Sequence, residues 1–252
     1  MDIFNLTGKV ALITGASKGI GKDMARVFYE AGASVVISSR NQEVLDEAAK
    51  EIDPSGNRVK AFAANSGKME DLKQLVQSSL EVFGKIDILV NNAATNPVFG
   101  PVLNTEVSAF DKIMNVNVKG PFELCKLVNS SMKEAGGGSI INISSIGGIT
   151  PEPMLGIYSV SKSALISLTK VLAKELGADN IRVNVICPGL IKTKFSEALW
   201  SNDAISNHMI SQLPISRIGT EKDISGLALF LAGEASAYCT GAVFTADGGY
   251  TI

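Results

Sequence analysis

Seven short runs rich in β-branched residues are spaced along the chain: KVALIT (9–14), SVVISS (34–39), RVKAFA (58–63), IDILV (86–90), SIINIS (139–144), IRVNVI (181–186) and AVFTA (242–246). Most are apolar nearly throughout instead of alternating, the pattern of strands covered on both faces in a parallel sheet. Between them, EVLDEAAKEI, MEDLKQLVQSSLEVF and KSALISLTKVLAKEL place apolar residues at helical spacing. Parallel neighbours need right-handed crossovers, so this alternation predicts an α/β fold with a doubly wound parallel sheet of about seven strands flanked by helices. No Pro/Ser-rich linker, charge block or internal repeat divides the chain, and residues 1–252 are expected to form a single domain.

Composition narrows the partners. With 46% hydrophobic and 19% charged residues the chain can bury a sizeable core. A net charge of −2 gives no reason to expect nucleic acid or an anionic membrane surface. No signal-peptide pattern and no apolar run of membrane-spanning length is present. Cys125, Cys187 and Cys239 are few and widely separated, which fits a reducing cytoplasm and small buried side chains. His208 is the sole histidine and no paired-cysteine spacing occurs, so no metal site is expected. A small molecule is the expected partner.

In doubly wound sheets, ligands sit outside the carboxyl ends of the strands. After the first run comes TGASKGIG, with Gly15, Gly19 and Gly21 around Ser17, Lys18 and Ile20. Glycines permit a tight turn and close approach to a pyrophosphate, and a helix starting near Gly19 offers free N–H groups and a positive dipole end. The spacing is GxxxGxG, so its place between strand and helix carries the signal and points to a Rossmann-type dinucleotide site. An NAD site places a carboxylate near the end of the second strand, to accept from the ribose 2′-OH. Here VVISSRN puts Ser39 and Arg40 at that point. A guanidinium there can hold a 2′-phosphate bidentately, with Lys18 as a second positive charge, so NADP(H) is the expected cofactor. A solvated Arg40 followed by Asn41 capping the next helix is the plainer alternative, and Glu43 lies within that helix pattern.

In GIYSVSK (156–162), Tyr158 and Lys162 stand four apart and share one face of a helix. An isolated pair of this kind is also what a surface helix presents. Beside a fixed ammonium, however, a phenol ionises more easily. Moving its pKa from about 10 toward 7 requires roughly 4 kcal/mol of preference for the phenolate. A partly dry cleft could supply that through charge and hydrogen-bond effects. Lys162 is therefore expected to lower the Tyr158 pKa.

TGASKGIG, NNAA (91–94), MNVNVKG (114–120), INISS (141–145), YSVSK (158–162), IRVNVICPG (181–189) and DGG (247–249) together resemble the short-chain dehydrogenase/reductase family in order and spacing, across essentially the whole chain. That resemblance implies a catalytic tetrad of Asn117, Ser145, Tyr158 and Lys162. Tyr158 would be the general acid in ketone reduction and the base in alcohol oxidation. Lys162 would stabilise the phenolate and hold the nicotinamide ribose, Ser145 would bond the substrate oxygen, and Asn117 would order a relay water. Ser144 is the alternative to Ser145, which lies thirteen residues before the tyrosine as in the family; Asn115 is the alternative to Asn117. The resemblance further implies cofactor contacts from Asn65, Ser66, Asn92, Ala93, Pro188, Gly189, Ile191 and Thr193, and a homotetramer packed through 106–132, 157–178 and the C-terminal strand. Two positions depart from the family pattern. Asn65 replaces an aspartate at the adenine, and Ala94 replaces a glycine.

Substrate contacts are expected from 94–100, 146–156 and 194–215, which offer Phe99, Met154, Leu155, Phe195, Leu199, Trp200 and Met209. Such a lining favours an apolar ketone or aldehyde, and NPVFG with PGLIKTKFSEALW is similar to the NADPH-dependent carbonyl/retinal reductases of the family. A 3-oxoacyl thioester, with Lys192 or Lys194 meeting an acidic carrier, is the alternative substrate. A non-catalytic dinucleotide-sensing protein is the alternative function.

Overall fold

The structure, a computed structural model, describes residues 3–252. The chain runs β1 (Val10–Thr14), α1 (Gly19–Glu30), β2 (Ser34–Ser39), α2 (Gln42–Ile52), β3 (Val59–Ala63), α3 (Met69–Phe83), β4 (Ile88–Asn91), α4 (Val107–Met114) and α5 (Gly120–Glu134). It continues through β5 (Gly138–Ile143), α6 (Gly156–Leu176), β6 (Ile181–Pro188), α7 (Glu197–Trp200), α8 (Asp203–Ser211), α9 (Lys222–Ala232) and β7 (Val243–Ala246). Each β-branched run of the sequence forms a strand. β6 runs on past the apolar stretch because Cys187 and Pro188 still pair with Thr245 and Ala246 of β7.

All seven strands form one sheet in the order β3-β2-β1-β4-β5-β6-β7, and every pair is parallel. The strand side chains alternate between two cores. Ala11, Ile13, Val35, Ile37 and Val90 meet α1, α2 and α9 on one face. Leu12, Val36, Leu89, Ile140 and Val183 meet α3, α5 and α6 on the other. Burial on both faces is why these runs read as continuously apolar. The strand order reverses between β1 and β4, and a crevice opens there at the carboxyl ends.

Two local features set the site. A buried polar chain ties α6 to the sheet: Asn91 Nδ2 donates to Asn142 Oδ1 (2.8 Å), and Asn142 Nδ2 donates to Thr169 Oγ1 (2.8 Å). Between α4 and α5 the helix does not break. Asn115–Lys119 makes one π turn, with the Gly120 N–H bonded to the Asn115 carbonyl. Cys125 and Cys187 are buried, Cys239 is half-buried, and His208 is exposed on α8. Among the described residues, no helix is long and apolar enough to cross a membrane and no His/Cys/Asp/Glu cluster could hold a metal.

Candidate active site

The crevice is a cleft of about 880 Å³ lined by every strand-end segment from the glycine turn to the 188–199 region. Gly15, Ser17, Lys18, Gly19, Ile20, Gly21, Ser39, Arg40, Asn65, Ser66, Asn92, Ala93, Pro188, Gly189, Ile191 and Thr193 all line it, with Ser145, Tyr158 and Lys162. Gly15 adopts φ +65°, and a Cβ there would lie 2.9 Å from Ala93 Cα, so glycine alone fits between the ends of β1 and β4. Asn92 clamps the same junction, donating to the Thr14 (2.9 Å) and Gly15 (3.0 Å) carbonyls. Lys18 precedes α1 without a side-chain cap bond, and the first turn of α1 has no acidic residue. Its N–H groups therefore face an electropositive end of the cleft that suits a pyrophosphate. Arg40 at the end of β2 and Lys18 in the β1–α1 turn are exposed and line the cleft, whereas Glu43 lies on α2 and does not. Asn41 caps α2, accepting from Val44 N (3.1 Å). Asn65 Oδ1 accepts from Gly67 N (3.0 Å) and keeps its second lone pair. These residues fit a nicotinamide dinucleotide.

α6 presents Tyr158 and Lys162 on one face opposite the end of β5. Lys162 is buried, and its Nζ donates to the Ile143 carbonyl (2.8 Å) while standing 5.6 Å from the Tyr158 ring centroid. Ser144 instead bonds the Lys162 carbonyl (2.9 Å), which fixes α6 against β5. Ser145 accepts from Gly147 N (3.1 Å) and interacts with the Tyr158 hydroxyl. Burial pushes the Tyr158 phenol up to about 12, against the downward pull of Ser145. Burial also pushes the Lys162 ammonium down to about 8, offset in part by nearby Cys187. The expected lowering of the phenol pKa by Lys162 is therefore not what this arrangement produces. The ammonium is bonded to the Ile143 carbonyl, and burial is the largest influence on the phenol. Tyr158 is held as a phenol, a proton donor.

Asn117 stands one layer back from the cleft. It is buried in the π turn behind Tyr158 and does not line the cleft. Its Oδ1 accepts from Thr95 N (2.8 Å), and its Nδ2 donates to Thr95 O (3.0 Å) and Ser161 Oγ (3.0 Å). Ser161 in turn donates to the Tyr158 carbonyl (2.7 Å). Asn117 thus joins the 93–96 segment to α6, and both N–H groups of its amide are engaged in doing so. Asn115 lines the cleft.

At the far end, Phe99, Leu155, Phe195, Leu199 and Met209 line the cleft, and the Phe195 ring lies 6.1 Å from that of Tyr158. Met154 and Trp200 do not. The Trp200 indole donates to the Thr193 carbonyl (2.8 Å) and so holds the start of the substrate segment. Tyr250 belongs to the site without having been signalled by any motif, and Thr95, Glu152 and Ser161 fall within quoted segments without having been singled out. The bonds Thr95–Asn117, Ser161–Asn117 and Tyr250–Glu152 join residues remote in sequence, so spacing carries no trace of them.

A family model described as enoyl-(acyl carrier protein) reductase matches residues 15–251. The rabbit (Oryctolagus cuniculus) dehydrogenase/reductase SDR family member 4 is 43% identical over 97% of this chain and 94% of its own length. The chain belongs to the short-chain dehydrogenase/reductase family. Solved structures agree. A gluconate 5-dehydrogenase from Burkholderia cenocepacia, in complex with NADP and tartrate, superposes with a TM-score of 0.94 at 32% identity, covering 99% of this chain and 98% of that one. A 7α-hydroxysteroid dehydrogenase complexed with NADH and 7-oxo glycochenodeoxycholic acid gives 0.94 at 35% identity, covering 98% and 96%. As a family member the chain is an oxidoreductase that uses a nicotinamide dinucleotide and a small-molecule substrate.

Proposed function

We propose that this chain is an NADP(H)-dependent reductase of apolar ketones or aldehydes, interconverting carbonyl and alcohol. The observation that carries the proposal is one cleft wall combining a buried phenol, Ser145 and Lys162 with an Arg40/Lys18 rim where an NAD-specific site would hold a carboxylate. When bound, the reduced nicotinamide supplies the hydride. Ser145 hydrogen-bonds the substrate oxygen, and Tyr158 donates its proton to that oxygen. Ser145, whose hydrogen bond pulls the phenol pKa down, stabilises the phenolate left behind, and Lys162, still mostly cationic at neutral pH, holds the nicotinamide ribose. Asn117 supports this wall through Thr95 and Ser161. Arg40 and Lys18 read the 2′-phosphate, and the glycine turn, Asn65, Ser66, Asn92, Ala93, Pro188, Gly189, Ile191 and Thr193 hold the rest of the dinucleotide.

The relatives differ in cofactor, one complexed with NADP and one with NADH, so the preference for NADP(H) rests on the residues of this chain. The 7-oxo steroid acid held by the hydroxysteroid dehydrogenase supports a ketone as the reacting group in a cleft of this kind. The chain works as one catalytic unit, with 194–215 as its substrate segment and the cytoplasm as its compartment. It assembles as a homotetramer through α4, α5, α6 and β7, a reading supported by exposed Val107, Phe110, Val160 and Val171. The test is a screen of ketones, aldehydes, alcohols and 3-oxoacyl thioesters with both cofactors. NADPH oxidation by apolar ketones supports the proposal. Turnover of thioesters alone selects the acyl substrate, and cofactor binding without any turnover makes the chain a sensor.

A further inference from the structure

The DGG motif at 247–249 builds a second, unassigned element of the cleft. The Asp247 carboxylate accepts from Gly249 N (2.9 Å), Thr251 N (2.9 Å) and Thr251 Oγ1 (2.7 Å), which knots the tail. Gly249 adopts φ +89°, and a Cβ there would lie 2.7 Å from Pro214 Cγ. The tail can therefore cross the end of the 194–215 segment only as glycine, and Ile215 N bonds the Gly248 carbonyl at that crossing (2.9 Å). This turn sends Tyr250 back into the cleft wall. There its hydroxyl donates to Glu152 Oε1 (3.2 Å), from the loop that precedes α6.

Glu152 is the element with consequences. It lines the cleft beside Leu155, and the same substrate end is walled by Phe195, Leu199 and Met209. Among the described residues no ion pair includes Glu152, and its hydrogen bond is to a neutral phenol. Burial and the Glu152 charge both push the Tyr250 phenol up, so Tyr250 stays protonated as the donor. Lys194 and Lys112 also line the cleft but make no pair with Glu152. A carboxylate without a cation, set against an apolar wall, keeps more of its field than it would in open water.

We propose that the Glu152–Tyr250 pair is a charge filter that admits neutral carbonyl compounds and rejects carboxylate-bearing ones. The filter deepens the carbonyl-reductase proposal and rests on it. The probes are para-acetylbenzoate and its methyl ester, which differ in charge at the end remote from the reacting ketone. In Glu152→Gln the acid-to-ester ratio of kcat/KM rises about fivefold over the parent, the effect of removing one like charge at partly screened range. In Tyr250→Phe, which removes a donor and keeps the carboxylate, the ratio does not rise. Binding of both probes by calorimetry, with and without NADPH, is measured alongside. A ratio that stays within about twofold of the parent in Glu152→Gln, or rises equally in Tyr250→Phe, overturns the filter. If the parent turns over neither probe, the calorimetric acid-to-ester ratio decides the filter by the same criterion, and the substrate screen decides the carbonyl-reductase proposal separately.

Discussion

Lys162 carries a stability cost that its replacement should reveal. It is almost wholly buried, and burial holds its ammonium down from 10.5 to about 8. At about 1.4 kcal/mol per tenfold change in ionisation, keeping it charged in the fold costs about 3 kcal/mol. Methionine keeps the apolar stem and removes the charge. It also strands the Ile143 carbonyl, which accepts from Nζ at 2.8 Å, at a cost of about 1–2 kcal/mol. Lys162→Met should therefore stabilise the fold by about 1–2 kcal/mol at neutral pH, raising Tm by roughly 3–6 °C for a chain of this length, while abolishing carbonyl reduction.

The sign with pH follows from the folded value lying below the unfolded one. The fold is penalised wherever the unfolded chain carries the charge and the native state resists it. That penalty is full below about pH 8 and fades as pH approaches 10.5. By about pH 9.5 the native lysine is already neutral, some 2 kcal/mol of the penalty has gone, and the advantage of the variant should vanish. Denaturant melts of both proteins at the two pH values measure this. A variant less stable than the parent at neutral pH, or one whose gain is the same at both, would refute the desolvation argument.

Tyr158→Phe should bind NADPH nearly as well as the parent and lose at least about a hundredfold in turnover, the low end for a removed general acid, as measured by steady-state kinetics and cofactor titration. Turnover within a fewfold of the parent would remove Tyr158 from its role. Arg40→Ala should weaken NADPH more than NADH in parallel titrations, whereas equal losses would mean that Arg40 does not read the phosphate. Light scattering should give a homotetramer, and a monomer would contradict the assembly.

What the sequence shows of this molecule depends on how local the cause is. The strands are legible because two-sided burial demands runs such as VVIS and SIINI, and errors of one or two residues at their ends leave the sheet unchanged. The cleft wall at the β1 and β2 ends is legible because Gly15–Gly21 and Arg40 line it within a few residues of their own strand ends. Lys162 is legible as a position but not in its energetics. Its desolvation is summed over every group that packs around it, and no four-residue spacing encodes that sum. Trp200 reads as a pocket aromatic from composition. Only the fold shows its indole bonded to the Thr193 carbonyl. Glu152 and Tyr250 meet across ninety-eight residues and through a glycine turn, so neither residue signals the other.

For Asn117, the relay-water role that the family resemblance implies and the bracing role of its amide bonds can be separated. Its amide donates twice and accepts once, to Thr95 and Ser161, from a buried position in the π turn. Asn117→Asp keeps the shape and the bond from Thr95 N, but it faces a carboxylate to the Thr95 carbonyl and leaves Ser161 Oγ without its donor. Two lost bonds and one repulsive contact amount to about 2–4 kcal/mol of stability. Because the freed 93–96 segment lines the cleft, NADPH affinity should fall with it. Ser161→Ala, which removes one of these bonds and the tie to the Tyr158 carbonyl, should cost about 1–2 kcal/mol. The two variants together should cost less than the sum of their separate effects, because they share one bond. A side chain working in the cleft would behave otherwise. Asn117→Asp would then reduce kcat while stability and NADPH affinity stayed at the parent values, and the brace between Thr95 and α6 would be excluded as its function.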